Sequence, residues 1–289
     1  MRATIRPVSI NRIAEVVEIC TQAPASEKDL QDRLDASENR VREITAEMTR
    51  LSLVYESDKF DATPEGEQLH SAFINGDWGD VHQLLYESSP HYMAFSDLLR
   101  SRKCEEGLYQ EEITEKLNQA SDDLKFNKTG VSLLSDWGER LGVIQRNVFN
   151  NRYYWAADSL DENQNFRKRL EEEYEDLEVE RGVNLKQRYI SIPRLRESLC
   201  ESLGLRRSTF DQLLADLYLA NIGNMEMSGA PLNTQAKDVK SGIKTISVGE
   251  SGGLQTTEVS SESVLRGITL SDGKMYYYLT IFGQLKEDS

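Results

Sequence analysis

Residues 187–219, QRYISIPRLRESLCESLGLRRSTFDQLLADLYL, read as two helices joined by a tight turn. Ser191 can cap the first helix, and Pro193 falls in its early turn, where the missing N–H of a proline is no loss. Leu195, Leu199 and Leu203 recur every four residues, and Gly204 stands where a left-handed cap residue stops a helix. In the second helix Ser208 precedes Asp211 by three residues, a capping box with a shorter acid, while Leu213, Leu214 and Leu217 supply a buried stripe. Start, face and stop together make a helix-turn-helix pattern. Arg206, Arg207, Ser208 and Thr209 occupy its turn and the start of its second helix.

The chain has 289 residues, 38% of them apolar, which suits several modest cores better than one large one. No window approaches 18 consecutive apolar residues, and the N-terminal MRATIRPVSI lacks the apolar run of a signal peptide. A cytoplasmic protein with no membrane partner is expected. Cys20, Cys104 and Cys200 stand far apart with no C-x-x-C pairing, so neither a disulfide framework nor a thiolate zinc site is indicated. Each is expected to pack as a small core hydrophobe.

The formal charge is −15, with 49 acids against 34 bases. Nucleic-acid binders draw affinity from a positive surface that releases counterions from phosphate, so this balance argues against indiscriminate coating of DNA. Of the bases 21 are Arg and 13 Lys, and the acid-rich, lysine-poor balance resembles that of proteins from halophilic archaea. In such a host global acidity answers to the solvent rather than to a partner. Distribution is then more telling than the total. Residues 181–207 hold seven basic groups (Arg181, Lys186, Arg188, Arg194, Arg196, Arg206 and Arg207) against Glu197 and Glu201, a local balance of +5. Just before them, residues 158–180 hold ten acids and three bases, a balance of −7.

Nearer the N-terminus, Ile10, Ile13, Val16, Val17 and Cys20 share one face of an expected helix. Ser26 with Asp29 opens a second helix, and residues 37–51 form a third with Val41, Ile44, Met48 and Leu51 inward. Residues 51–66, LSLVYESDKFDATPEG, read as a β-hairpin. Three helices followed by a hairpin is the winged-helix order. The exit Thr63-Pro64-Glu65-Gly66, followed by Leu69, resembles the T-x-x-G step by which MarR-like and related archaeal winged helices leave the wing.

Helices over 67–103 connect this module to the next. There, a short helix over 110–118 precedes one that Thr129 can cap, which carries Leu133, Leu134, Trp137 and Leu141 and stops at Gly142. A hairpin in VIQRNVFNNRYYWA, turning at Asn150 and Asn151, completes a second helix-helix-wing order. Residues 158–180 read as an acidic helical linker with Phe166, Leu170, Tyr174 and Leu177 at helical spacing and the charges in solvent. Past the helix pair, NIGNMEMSG and IKTISVG are β-prone, residues 231–263 suit a mobile loop or enlarged wing, and Asp272-Gly273 matches a type I′ hairpin turn.

The expected fold is mainly α with small β-hairpins, an α+β chain of three tandem winged-helix-like modules joined by helical connectors. Module 1 covers 1–75, a helical connector 76–106, module 2 107–157, the acidic linker 158–184, and module 3, with an extended β wing, 185–289. The resemblance is to a fold class, and a fold class does not decide function. His70, His82 and His91 have no H-E-x-x-H or comparable spacing and suit surface or packing roles, and neither a phosphate loop nor a nucleophile elbow is present. No enzymatic activity, cofactor or metal is expected.

The expected function is binding of double-stranded DNA, as a transcription regulator or as the DNA-targeting subunit of a larger DNA-processing or defence complex. The DNA-binding residues would be Arg188, Arg194, Arg196, Arg206, Arg207, Ser208 and Thr209: lysines and arginines near the turn would hold phosphates, Arg207, Ser208 and Thr209 would face base edges, and a wing would follow the flanking backbone. The plainer alternative is that Arg206 and Arg207 compensate acids such as Asp211 or bind carbonyls at a helix end. Tyr153, Tyr154, Trp155 and Tyr276 to Tyr278 could stack on bases, but aromatics in a strand are more often core. The rival function is a non-enzymatic protein-protein adaptor, similar to the acidic tandem winged-helix subunits of chromosome-organising complexes, which hold a partner chain on their helical faces. What separates the two is whether the +5 stretch forms one exposed face or is neutralised by the −7 stretch.

Overall fold

A computed structural model describes residues 4–55, 57–161, 164–180, 189–229, 244–248, 254–257 and 264–286. In chain order the first elements are α1 (Ile10–Gln22), α2 (Glu27–Leu34), α3 (Glu38–Arg50), β1 (Val54–Tyr55), β2 (Asp61–Ala62), α4 (Pro64–Asn75), α5 (Trp78–Ser88) and α6 (Pro90–Ser101). Next come α7 (Gln110–Ala120), α8 (Lys128–Arg140), β3 (Ile144–Arg146), β4 (Tyr153–Trp155), α9 (Phe166–Glu180), β5 (Ile190–Ser191), α10 (Ile192–Leu203) and α11 (Arg207–Ala220). The last are β6 (Met225–Gly229), β7 (Thr245–Val248), β8 (Leu254–Thr257), β9 (Ile268–Thr269) and β10 (Met275–Ile281). Among the described residues this makes eleven helices, three two-stranded sheets and one four-stranded sheet, a mainly helical α+β fold. None of these helices is long and apolar enough to cross a membrane.

The chain divides into two compact units. One comprises Met1–Ser101, Leu108–Ile144 and Lys244–Glu258, the other Arg102–Gly107, Gln145–Ile243 and Val259–Ser289.

In the first unit, local hydrogen bonds set the helix starts. Ser26 and Asp29 form the reciprocal capping box at α2, the Asp29 carboxylate accepting from Ser26 N–H at 2.8 Å and the Ser26 hydroxyl from Asp29 N–H at 3.2 Å. Thr63 caps α4, its hydroxyl accepting from Gly66 N–H at 3.0 Å and donating to the Ser52 carbonyl at 2.7 Å. A Cβ on Gly66 would lie 2.2 Å from the Leu53 carbonyl oxygen, so helix and hairpin approach this closely only over a glycine. At α8 the cap is Asn127, which accepts from Gly130 N–H at 2.8 Å, and not the expected Thr129. A cap three residues before a free N–H binds it through the side chain, and Asn127 has that spacing to Gly130.

The helices of this unit pack in sequence, α1 on α4, α4 on α5, α5 on α6, and α6 on α7 and α8. Trp137 of α8 is fully buried, with its indole N–H donating to the Val8 carbonyl at 3.2 Å and its ring edge-on to Tyr92. The Tyr92 hydroxyl lies 2.9 Å from His82 Nδ1, and buried His91 stands edge-on to Phe126, so both histidines have packing roles. IKTISVG, expected in the third module, supplies β7 here, packed on α4 and α8. Lys244 at its start reaches Asp136 at 3.0 Å and Glu139 at 2.8 Å, two carboxylates of α8. The helices and the wing expected together over 107–157 also part company: α7 and α8 belong to the first unit and the hairpin from Gln145 onward to the second.

In the second unit α10 is the central element, packed on α9, α11, β5 and β10 and buried on nearly every side. Phe166, Leu170, Tyr174 and Leu177 of α9 are buried in the same core. The acidic stretch, expected as a helical linker, therefore contributes a core helix, with Glu172, Glu175 and Asp176 exposed on its outer face. The sheet runs β5-β10-β6, with β9 paired to the start of β10. Its antiparallel register places Leu279 opposite both Ile190 and Met227. The Asp272-Gly273 hairpin joins β9 to β10, but Leu270 and Lys274 bond across a three-residue loop in which Gly273 takes φ 76°. The type I′ turn expected there needs Asp272 left-handed as well, and Asp272 is not. Most of residues 231–263, the expected loop or wing, lies outside the described residues.

Of the cysteines, Cys20 and Cys200 are buried as expected and Cys104 is exposed. Cys104 sits in the loop after α6 at φ 71°, and its thiol faces the Asp161 carboxylate at 3.5 Å rather than an apolar core. Burial pushes the Cys20 thiol up to about 11 and the Cys200 thiol higher still, which keeps both un-ionised at neutral pH. A chromogenic disulfide reagent at neutral pH is expected to titrate one thiol in the native protein and three in denaturant. Cys104→Ser should remove the native signal, and two fast-reacting native thiols would contradict the burial of Cys20 and Cys200.

Candidate nucleic-acid interface

The first helix of the pair follows its local signals. Pro193 lies in the first turn of α10, and Gly204 caps its end at φ 62°. The second helix does not follow them. Its N-cap is Arg206, without a side-chain cap bond, and the box expected between Ser208 and Asp211 is not formed. Asp211 is taken by Arg196 of α10, Nε to Oδ1 at 2.6 Å. A charge-assisted bond to a cation outcompetes a neutral cap.

The seven residues expected to meet DNA have different fates. Arg188 lies outside the described residues. Arg194 is exposed on the first turn of α10. Arg196 is 3% exposed and, besides Asp211, donates to the carbonyls of Val264 at 3.2 Å and Arg266 at 3.1 Å. Arg206 is half-buried and pairs with Asp158 at 2.6 Å. Arg207 is 8% exposed, grips both carboxylate oxygens of Glu197, and donates to the Arg146 carbonyl at 2.7 Å. Burial pulls the Arg207 pKa down, but Glu197 more than restores it, so the guanidinium stays charged. Ser208 is exposed, and the Thr209 hydroxyl donates to the Asp158 carbonyl at 3.2 Å.

The turn itself is covered. Ala157 N–H donates to the Gly204 carbonyl at 2.8 Å and Arg206 N–H to the Ala157 carbonyl at 2.9 Å, so residues 157 and 158 lie along the turn as a short paired segment. The exposed face of α11 then reads Ser208, Gln212, Asp216, Leu219 and Ala220, at three- and four-residue spacing. It is neutral at its start, acidic midway and apolar at its end. The only basic residue of α11 is Arg207, and that side chain is turned inward to Glu197. No exposed cation on this helix can follow a phosphate backbone.

Two residues that organise the region carried no functional expectation, Glu197 and Glu201, one turn apart on α10 and both buried. Glu197 also accepts from Val148 N–H at 3.0 Å. Glu201 accepts from Gly107 N–H at 3.0 Å and from the side-chain amides of Asn147 at 2.6 Å and Asn150 at 2.8 Å. Together they fasten the loop between β3 and β4 to the central helix. The signal was present in the sequence, since two acids interleave with Leu195, Leu199 and Cys200 on a helix otherwise rich in apolar residues. Hydrogen-bond donors thus reach both buried carboxylates, as buried polar groups require. Of the aromatics considered for base stacking, Tyr153 and Tyr154 are buried, and Trp155 and Tyr276 to Tyr278 are half-buried. Comparisons with family models, with curated proteins and with solved structures found no match to this chain.

Proposed function

We propose that this chain is a non-enzymatic adaptor that holds a partner polypeptide on winged-helix-like folds. The observation that carries this reading is the neutralisation of the basic helix pair. Arg196, Arg206 and Arg207 are committed to Asp211, Asp158 and Glu197, and Asp158 comes from the acidic stretch itself. A helix pair with three of its four arginines paired, on a chain of net charge −15, attracts phosphate weakly and suits a protein ligand. The helix order α1, α2, α3 followed by the β1–β2 hairpin supports a winged-helix-like reading of residues 4–75, and the Thr63–Gly66 step supports it further. In the second unit, α10 and α11 followed by antiparallel strands support the same reading.

The second reading, double-stranded DNA binding by a transcription regulator or DNA-targeting subunit, is favoured by Arg194, exposed on the first turn of α10, and by Ser208, exposed at the start of α11. Two measurements separate them. Affinity purification from the host after nuclease digestion is expected to retain a stoichiometric polypeptide. Fluorescence anisotropy with a random-sequence duplex is expected to detect no binding at any salt concentration. Duplex binding that weakens with salt and disappears in Arg194→Glu, with the circular dichroism spectrum unchanged, would overturn the adaptor reading in favour of DNA.

A further inference from the structure

One end of the second unit carries three large apolar side chains in solvent. Leu219 in the last turn of α11 is 56% exposed, Ile222 in the turn that follows is 72% exposed, and Phe282 just after β10 is 50% exposed. Hydrogen bonds tie these segments together. Phe282 N–H donates to the Asn224 carbonyl at 2.8 Å, the Asn224 side chain to the Gln284 carbonyl at 3.1 Å, and Lys286 N–H to the Asn221 side chain at 2.6 Å. Asn221 is itself buried and donates to the Leu217 carbonyl at 2.9 Å, which anchors the turn to α11. The apolar groups are thus presented by a braced segment and not by a fraying tail. Exposed apolar residues held in a fixed array mark an interaction surface more strongly than scattered ones.

Beside Phe282 a groove of about 510 Å³ runs between α9 and residues 281–284. Glu171, Glu175 and Glu178 line its helical wall, Tyr174 its floor, and among the described residues no lysine or arginine lines it. The basic residues at the start of α9 are engaged elsewhere: Arg167 with the Leu285 carbonyl at 2.6 Å, Lys168 and Arg169 with Glu172. The next side chain along the exposed face of α11 is Asp216, and Glu226 of β6 is also exposed, so around the apolar patch acids outnumber the one exposed cation of residues 281–286, Lys286.

We propose that this end of the second unit, Leu219, Ile222 and Phe282 with the groove of Glu171, Glu175 and Glu178, docks a basic amphipathic segment of a partner protein. Bulky apolar side chains of that segment cover Phe282 and Ile222, while its lysines or arginines enter the groove. Charge complementarity selects this occupant. A second copy of the chain would bring acids against acids, and nucleic acid or an anionic membrane would bring phosphate against the same glutamates. The inference rests on the adaptor reading and names the chemistry of its partner.

The test uses the full chain and a fluorescent synthetic helical peptide of leucine and lysine in an amphipathic repeat, with a leucine-glutamate peptide of the same pattern as control. Anisotropy should register binding of the lysine peptide, weakened by salt, and none of the glutamate peptide. Ile222→Ser/Phe282→Ser should weaken it by about tenfold or more, the loss typical of a central apolar anchor, and Glu175→Lys/Glu178→Lys should do the same. Ile222, Phe282 and Glu175 are exposed and Glu178 is half-buried, and an unchanged melting temperature confirms the fold. Equal affinity in the variants, or equal binding of the glutamate peptide, would refute the surface. So would a dimer in light scattering that Ile222→Ser disperses, since the occupant would then be a second copy. If the nuclease-resistant partner is still retained by Ile222→Ser/Phe282→Ser, the adaptor reading survives and this docking site does not; if no partner is retained by the wild type, the adaptor reading itself fails.

Discussion

Replacing Arg207 with glutamate is expected to unfold the second unit rather than remove a DNA contact. The substitution would set a second carboxylate against buried Glu197, which has no exposure to water and receives two bonds from the guanidinium it would lose. Glu197→Ala, the milder change, strands the Arg207 charge and the Val148 N–H, and breaking a buried pair from one side costs about 3–5 kcal/mol. Replacing both partners, Glu197→Leu with Arg207→Met, should recover most of that loss, because well-packed apolar groups substitute for a buried pair at little cost, while the Val148 N–H remains unsatisfied at about 1–3 kcal/mol. Urea denaturation followed by far-ultraviolet circular dichroism measures all three. A loss below about 1 kcal/mol in Glu197→Ala would mean that water reaches the pair and that the arginine is free for another partner. The prediction also bears on how DNA binding is assayed. A charge reversal at Arg207 that abolishes binding reports on folding, whereas Arg194→Glu, at an exposed site, reports on contact.

Trp137→Ala should be as damaging to the first unit. Trp137 is fully buried among the helices there, so its removal leaves a cavity that its neighbours can fill only in part. The substitution also strands the Val8 carbonyl that accepts the indole N–H, and removes the edge-on contact with Tyr92. Large aromatic deletions of this kind cost about 3–5 kcal/mol, and the melting temperature should fall on the order of 10 °C. Trp137→Phe keeps much of the volume and should lose clearly less. Equal losses from both substitutions would place the cost on the hydrogen bond to Val8 and not on the cavity.

Two pairs of residues with the same spacing explain how far the fold and the site were legible. Ser26 with Asp29 and Ser208 with Asp211 both read as capping boxes, and only the first forms one. The cap at Ser26 is complete within four residues, so nothing distant is needed to satisfy it. At Ser208 the acid is claimed by Arg196, fifteen positions away in sequence and brought near only because α10 and α11 pack together. The same division runs through the rest of the chain. Helix positions, the glycine stop at Gly204, the Thr63–Gly66 step and the apolar stripes were set by spacing, because backbone hydrogen bonds and helical faces repeat over a few residues.

Which charges meet was not. Seven basic groups in 27 residues left open an exposed face or a neutralised one, and the structure gives three of them to Glu197, Asp211 and Asp158. Lys244 likewise carries its strand to the carboxylates of α8, and Cys104 turns to Asp161 when a core was expected. Sequence by itself determined a mainly helical α+β chain with the start of α2 at Ser26 and the stop of α10 at Gly204, since those depend on short-range geometry. Tertiary structure decided that Arg196, Arg206 and Arg207 of the most basic stretch would be paired with carboxylates, since a buried guanidinium is stable only where the fold brings a carboxylate to it.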